Sequence, residues 1–234
     1  MKHKRLTLFA GHYGSGKTNI AVNYAVLLAK EGKKVCIGDL DIVNPYFRTA
    51  DSKKVLEEAG VTLISPQFAN SNVDLPALPA EAYRLVEDKS IYGIMDIGGD
   101  DRGAYALGRY VPAIKAENDY RMVFVANCYR PLTRTPEEAL EVMKEIETAC
   151  GLAFTDIVNN ANLGPETTAD TVLNAIEYVE KLSRLSGLPI FAHTAEAAIA
   201  PQLAGKLEPV IPLQLQEKYF DLPTQKPGNR PLFG

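Results

Sequence analysis

The sequence predicts an α/β fold, a mostly parallel sheet of about eight strands with helices on both faces. Short apolar runs alternate with helical patterns along the whole chain, as they do in successive βαβ units. The apolar runs are nearly continuous, which is typical of strands covered on both faces. A length of 234 residues with 46% hydrophobic residues can fill one large core. We therefore expect a single domain over residues 1–220.

The predicted strands are short runs rich in apolar residues. They are Leu6–Ala10, Val35–Gly38, Val61–Ile64, Ile91–Ile97, Met122–Ala126, Asp156–Val158, Pro189–Ala192 and Pro209–Leu213.

Three predicted helices have recognisable ends. Residues 19–30 precede Gly32, which suits a left-handed cap. Thr135, Pro136 and Glu138 form an N-cap, a first-turn proline and a capping-box glutamate, and this helix should end near residue 150. Residues 168–186 form the third predicted helix. Residues 221–234 contain three prolines and two glycines, so we expect a tail or an arm that lies on another surface.

Composition excludes several classes of protein. A net charge of −4 with mixed signs offers no basic face for nucleic acid and no polybasic patch for a membrane surface. No apolar run approaches the roughly 20 residues that span a bilayer. Cys36, Cys128 and Cys150 form no C-x-x-C pair, which argues against a disulfide framework or a local zinc site. A cytoplasmic location is expected.

The segment GHYGSGKT, from residue 11 to 18, satisfies the phosphate-binding pattern G-x-x-x-x-G-K-[ST] between a predicted strand and a predicted helix. Its glycines let backbone amides wrap a phosphate, and the helix N-terminus adds positive potential. The pattern predicts a P-loop NTPase fold that binds ATP and Mg²⁺. Lys17 would reach the β and γ phosphates, and the Thr18 hydroxyl would coordinate the metal. The residues expected to surround the phosphates are Gly11, His12, Tyr13, Gly14, Ser15, Gly16, Lys17, Thr18 and Asn19.

Carboxylates follow two of the predicted strands. Asp96 ends an apolar strand just before Gly98 and Gly99, and we expect it to support the metal. Asp39 and Asp41 end the second strand and point to the same side by alternation. We expect Asp41 to orient the attacking water and Asp39 to support the magnesium shell. The alternative is a polar strand end that caps the next turn.

The segments FAGHYGSGKTNIAVNYA, VCIGDLDIVNPYF, GIMDIGGDDRG and RMVFVANCYRP resemble the MinD/ParA family of P-loop ATPases over most of the first 165 residues. The resemblance implies a homodimer that forms across bound ATP, hydrolysis to ADP that resets it, and an unidentified protein partner. The position of the family's signature lysine matches His12, and His12, Arg102 or Arg130 could substitute for that lysine. The alternatives are that His12 is a plain hydrogen-bonding residue and that the two arginines lie on a solvated face.

The family places an asparagine at the end of the predicted strand that starts at Asp156, where it reads adenine. Asn159 or Asn160 fits that role here, and the chain has no Asn-Lys-x-Asp run for guanine at this strand. The alternative is a capped strand end. The metallocluster branch of the family uses paired cysteines, for which Cys128 is a weak candidate because a buried structural thiol is the better interpretation.

Two functions fit these residues. The first is an ATPase switch that acts on a partner protein. The second is an ATP-dependent small-molecule kinase or ligase, whose substrate pocket residues 70–79 or 100–109 would line. A catalytically inactive nucleotide-binding module is disfavoured because Lys17, Thr18, Asp41 and Asp96 are all present.

Overall fold

A computed structural model describes residues 2–40, 49–64, 80–99 and 101–215 of the chain. Its strands confirm every predicted apolar run, with ends shifted by a few residues. They are β1 (Leu6–Ala10), β2 (Val35–Leu40), β3 (Thr62–Ile64), β4 (Tyr92–Ile97), β5 (Tyr120–Ala126), β6 (Asp156–Asn159), β7 (Ile190–Glu196) and β8 (Val210–Leu213).

All eight strands belong to one sheet in the order β3-β2-β4-β1-β5-β6-β7-β8, and every neighbouring pair is parallel. The predicted mostly parallel sheet is thus parallel throughout its described strands. β1 lies inside the sheet between β4 and β5. Strands β2 and β3 continue on the β4 side, whereas β6 to β8 continue on the β5 side. Ligands in open α/β sheets bind beyond the carboxyl ends of the strands at such a reversal of order.

The helices cover both faces, as the sequence predicts. They are α1 (Lys17–Lys30), α2 (Lys53–Glu58), α3 (Arg84–Glu87), α4 (Asp101–Gly108), α5 (Val111–Glu117), α6 (Pro136–Cys150), α7 (Ala169–Leu173) and α8 (Ile176–Ser186). Short 3-10 turns occupy Thr49–Ser52, Ala80–Tyr83, Gly164–Glu166 and Ala200–Leu203.

The core follows the period-two alternation of the strands. In β1, Leu8 packs in the cluster shared with α3 to α6 and α8, whereas Phe9 packs in the cluster shared with α1 and α2. In β5, Phe124 and Val125 divide between the same two clusters. Each central strand is therefore buried on both faces, and its side chains hold a helix layer on each side.

One predicted helix is divided in the structure. Residues 168–186 form α7 and α8, separated by Asn174 and Ala175. The halves bury different surfaces. Val172 of α7 packs in a cluster with residues that follow β7, whereas Val179 of α8 packs under the α6 layer. The two halves pack in different clusters, so tertiary packing overrides the continuous helical pattern of the sequence.

The other predicted helix ends are confirmed. Gly32 and Gly187 adopt positive φ angles of 79° and 74° after α1 and α8. Thr135 and Glu138 form the expected capping box of α6, and Gly151 closes it with φ 73°. Within the described residues, no helix is both long and apolar enough to cross a bilayer. The predicted tail, 221–234, lies outside the described residues.

Candidate functional site

The glycine-rich segment forms a loop that joins the end of β1 to the start of α1 at Lys17. Gly16 has a φ of 95°, and a methyl group there would lie 2.2 Å from Asn160 Nδ2. A methyl group at Gly11 would lie 2.8 Å from the carbonyl oxygen of Val125 in the neighbouring strand. Gly11 has a φ of 153°, so both positions require glycine for conformation as well as for close contact.

Lys17 is buried and its side chain folds back over the loop. Its Nζ donates a hydrogen bond to the carbonyl oxygen of His12 at 3.2 Å. The loop that follows β4 also approaches it, since a methyl group at Gly99 would lie 2.8 Å from the same Nζ. The lysine charge is thus placed between the loop and the end of β4, where a phosphate held by the loop amides would meet it.

The hydroxyl of Thr18 donates a hydrogen bond to Oδ2 of Asp96 at 2.7 Å, in a fully buried contact. Thr49 donates to the same oxygen at 2.9 Å. Asp39 lies opposite Asp96 in the register of β2 and β4, and both carboxylates are buried. The structure therefore brings the predicted metal residues Thr18, Asp39 and Asp96 to one edge of the sheet.

These groups fit a magnesium ion. A Thr18 hydroxyl that gives its proton to Asp96 keeps its oxygen lone pairs for a metal. No cluster of three or more His, Cys, Asp or Glu side chains with metal-binding geometry occurs among the described residues. The Thr18 hydroxyl with the two carboxylates suits Mg²⁺, which takes few protein ligands and completes its shell with water and phosphate oxygens.

Sequence reasoning missed Thr49. It lies on a 3-10 turn between β2 and α2, far along the chain from Asp96, and no motif spacing marked it. Asp41, the expected water-orienting residue, lies outside the described residues. Residues 70–79, one proposed substrate-lining segment, also lie outside them.

The two asparagines at the end of β6 have different surroundings. Asn160 donates from Nδ2 to the carbonyl oxygen of Ser15 at 2.6 Å, and its Oδ1 accepts from Thr194 Oγ1 at 2.5 Å. Asn160 is 3% exposed, and its hydrogen bond to Ser15 holds the phosphate loop against the end of β6. Asn159 instead pairs its Nδ2 with Nδ1 of His193 at 3.2 Å. Its Oδ1 is buried and has no hydrogen-bond partner.

Burial lowers the pKa of His193 below its usual value of 6.5, which favours the neutral ring. A neutral ring leaves Nδ1 able to accept the amide proton of Asn159. The Oδ1 of Asn159 has no hydrogen-bond partner, and the exocyclic amine of adenine is a donor that would satisfy it. The base-reading role of either asparagine stays a prediction.

The remaining expected residues take varied positions. Tyr13 is 54% exposed at the loop tip, and Ser15 is buried with an unpartnered hydroxyl. The half-buried His12 ring contacts the carbonyl oxygen of Tyr13 at 3.0 Å. Asn19 lies in the first turn of α1, where its carbonyl oxygen accepts from Asn23 at 2.8 Å.

The alternatives to the signature lysine lie on different elements. Arg130 lies beside Gly14, whereas the side chain of Arg102 is outside the described part of the structure. Cys128 is a free, half-buried thiol whose pKa is raised by burial, in keeping with a structural thiol.

Comparisons with known proteins agree on the family and the fold. A sequence model described as the CobQ/CobB/MinD/ParA nucleotide-binding domain matches residues 6–187. The cell division protein FtsY of Thermotoga maritima is 20% identical, with a TM-score of 0.55 over 79% of this chain and 59% of its own. FtsY of Mycoplasma mycoides is 16% identical, with a TM-score of 0.51 over 81% of this chain and 58% of its own.

The signal recognition particle 54 kDa protein of Aeropyrum pernix K1, solved with GDP, is 19% identical, with a TM-score of 0.50 over 81% of this chain and 41% of its own. At these identities the likeness shows the fold, and the chain spans less than two thirds of each of the three solved chains. No curated protein sequence matches it significantly.

Proposed function

Because the chain belongs to the CobQ/CobB/MinD/ParA family of nucleotide-binding domains, we propose that it is a magnesium-dependent ATPase that works as a dimerising nucleotide switch. Its P-loop, nucleotide-binding character is a property of the family. Hydrolysis, the dimer and the protein partner belong to the proposal. One observation carries it: the phosphate-loop Thr18 is hydrogen-bonded to the Asp96 carboxylate beside a buried Lys17.

Each residue has a defined task in this proposal. The loop amides and Lys17 bind and orient the β and γ phosphates, while Thr18, with Asp39 and Asp96 behind it, would hold Mg²⁺. The ion supplies electrostatic neutralisation of the phosphate oxygens when bound. Asp41 orients the attacking water. Asn159 is the better candidate for adenine, since the amide of Asn160 is already paired with Ser15 and Thr194.

Further features support the setting of the proposal. The three free cysteines suit a reducing cytoplasm. The net charge of −4 fits a protein that contacts neither nucleic acid nor a membrane surface. ATP and ADP are the expected ligands, and the proposed nucleotide-binding domain covers residues 1–220.

Two variants test the proposal, with binding and turnover measured separately. Lys17→Ala should abolish ATP binding because it removes the lysine that the motif aims at the β and γ phosphates. Asp41→Ala should keep ATP and magnesium but lose turnover by about a hundredfold or more, the scale of a positioned proton acceptor.

Light scattering then distinguishes the switch from the kinase or ligase alternative. Asp41→Ala should accumulate as a dimer with ATP and remain monomeric with ADP, because the resetting step is blocked. Unchanged ATP affinity in Lys17→Ala would remove the nucleotide assignment. A monomeric Asp41→Ala protein with wild-type turnover would remove the switch mechanism and the role of Asp41.

A further inference from the structure

Arg130 lies in a hydrogen-bonded turn directly after β5. Its backbone N–H donates to the carbonyl oxygen of Asn127 at 3.2 Å, and the Thr133 hydroxyl donates to the same oxygen at 2.8 Å. Asn127 and Thr133 are both buried, and Asn127 Oδ1 also accepts from the backbone N–H of Tyr129 at 3.1 Å. The position of Arg130 is therefore fixed by a buried polar network.

The side chain of Arg130 lies against the phosphate loop. A methyl group at Gly14 would lie 3.8 Å from Arg130 Nε and 3.9 Å from its Cδ, which is van der Waals contact. The Nε atom is buried and has no hydrogen-bond partner. No carboxylate among the described residues forms an ion pair with this guanidinium.

We propose that Arg130 is a second fixed cation of the phosphate site and contacts the polyphosphate that the loop binds. The sheet order defines the side from which it acts. Asp96 and Thr18 lie on the β4 side of β1, whereas Arg130 follows β5 on the other side. The bound phosphates would lie between the metal-holding residues and this guanidinium. The inference rests on the proposed nucleotide-binding function and adds a binding residue to it.

The proposal rests on the free-energy cost of leaving the Arg130 side chain without an acceptor. A buried donor that lacks an acceptor costs free energy, and a charged group costs more than a neutral one. The Arg130 Nε is buried without an acceptor and lies beside Gly14 of the phosphate loop. Phosphate oxygens would satisfy the donor, and the planar guanidinium can bind two of them at once.

Calorimetric titration of ATP, ADP and AMP, each with and without magnesium, tests this inference. The affinity of Arg130→Gln for ATP and ADP should fall roughly tenfold to a hundredfold, the range of one charge-assisted contact. AMP affinity should change least. The ratio of ATP affinities with and without magnesium should match that of the wild type, because Arg130 lies across β1 from the metal residues. Arg130→Lys should bind with intermediate affinity.

Arg134→Gln is the matched control, since Arg134 is exposed on the same turn and should not affect binding. The apo melting temperature of Arg130→Gln should equal or exceed that of the wild type, which excludes a merely structural role. ATP and ADP affinities within twofold of the wild type would overturn the inference alone. Absence of ATP binding in the wild-type protein would overturn both it and the proposed function.

Discussion

Replacement of Asn160 by alanine removes the side chain that joins the phosphate loop to β7. Two hydrogen bonds are lost, the one to the Ser15 carbonyl oxygen and the one from Thr194 Oγ1. Thr194 keeps a second acceptor, the Asn159 carbonyl oxygen at 3.2 Å, so its cost is about 1 kcal/mol. Ser15 is buried, and its carbonyl oxygen loses the hydrogen bond from the Asn160 side chain. This loss costs about 1–3 kcal/mol. We expect Asn160→Ala to lower the free energy of unfolding by about 2–4 kcal/mol.

Urea unfolding followed by circular dichroism measures this loss. The midpoint urea concentration should fall. The dependence of the unfolding free energy on urea concentration should stay constant, because the same surface is exposed on unfolding. Asn162→Ala is the control. Asn162 lies in the same loop and donates to the Asn160 carbonyl oxygen, but it makes no hydrogen bond with Ser15 and is only partly buried. Its replacement should therefore cost under about 1 kcal/mol.

Nucleotide binding by the same variant separates a loop brace from a base reader. A loop whose backbone is no longer held should lose ATP and GTP affinity by the same factor. A base reader should lose ATP affinity while GTP affinity stays unchanged. A loss confined to ATP, or a change in unfolding free energy below about 0.5 kcal/mol, would refute the reasoning from the two hydrogen bonds.

Three further predictions follow from individual contacts. Gly99→Ala should weaken ATP binding with little loss of fold stability, because its methyl group would lie 2.8 Å from Lys17 Nζ and from the Tyr13 nitrogen; equal affinity by calorimetry would contradict this. ATP with magnesium should raise the melting temperature more than GTP at equal concentration, and equal shifts would remove the adenine assignment. Burial raises the pKa of Glu117, but hydrogen bonds from Arg5 and Lys89 outweigh it and hold that pKa below its usual 4.5. Glu117→Gln should therefore lower the unfolding free energy at pH 7 by about 1–3 kcal/mol. This difference should begin to shrink as the pH falls below 4.5 and should vanish only below the lowered folded-state pKa, where Glu117 is neutral in the folded and the unfolded protein. A difference that persists at such a low pH would count against the ion pair.

Local patterns in the sequence were enough for the strands, the phosphate loop and the helix ends. Each depends on neighbours a few positions apart, as in the capping box of Thr135 and Glu138. The break between α7 and α8 could not be predicted, because it follows from two clusters that form only after folding.

The contacts that brace the site are also non-local. Asn160 reaches Ser15 across 145 positions, and Thr49 reaches Asp96 across 47. The hydrophobic periodicity of the sequence does not indicate such distant pairs. Motif spacing in the sequence therefore predicted the phosphate loop, whereas the residues that hold this loop in place could be identified only from the fold.

The loop after β4, which contains Gly98 and Gly99, contacts both the phosphate loop and α4. Gly99 lies so close to Lys17 and Tyr13 that no methyl group fits between them. Gly98 packs equally closely on Gly103 in the first turn of α4, where a methyl group would lie 2.5 Å from Gly98 Cα. In the proposed switch, Lys17 leaves the His12 carbonyl oxygen for a phosphate and changes its contact with Gly99. Because these backbones are closely packed and α4 packs against α6, the proposed switch predicts that a displacement at Gly99 would be felt by both helices.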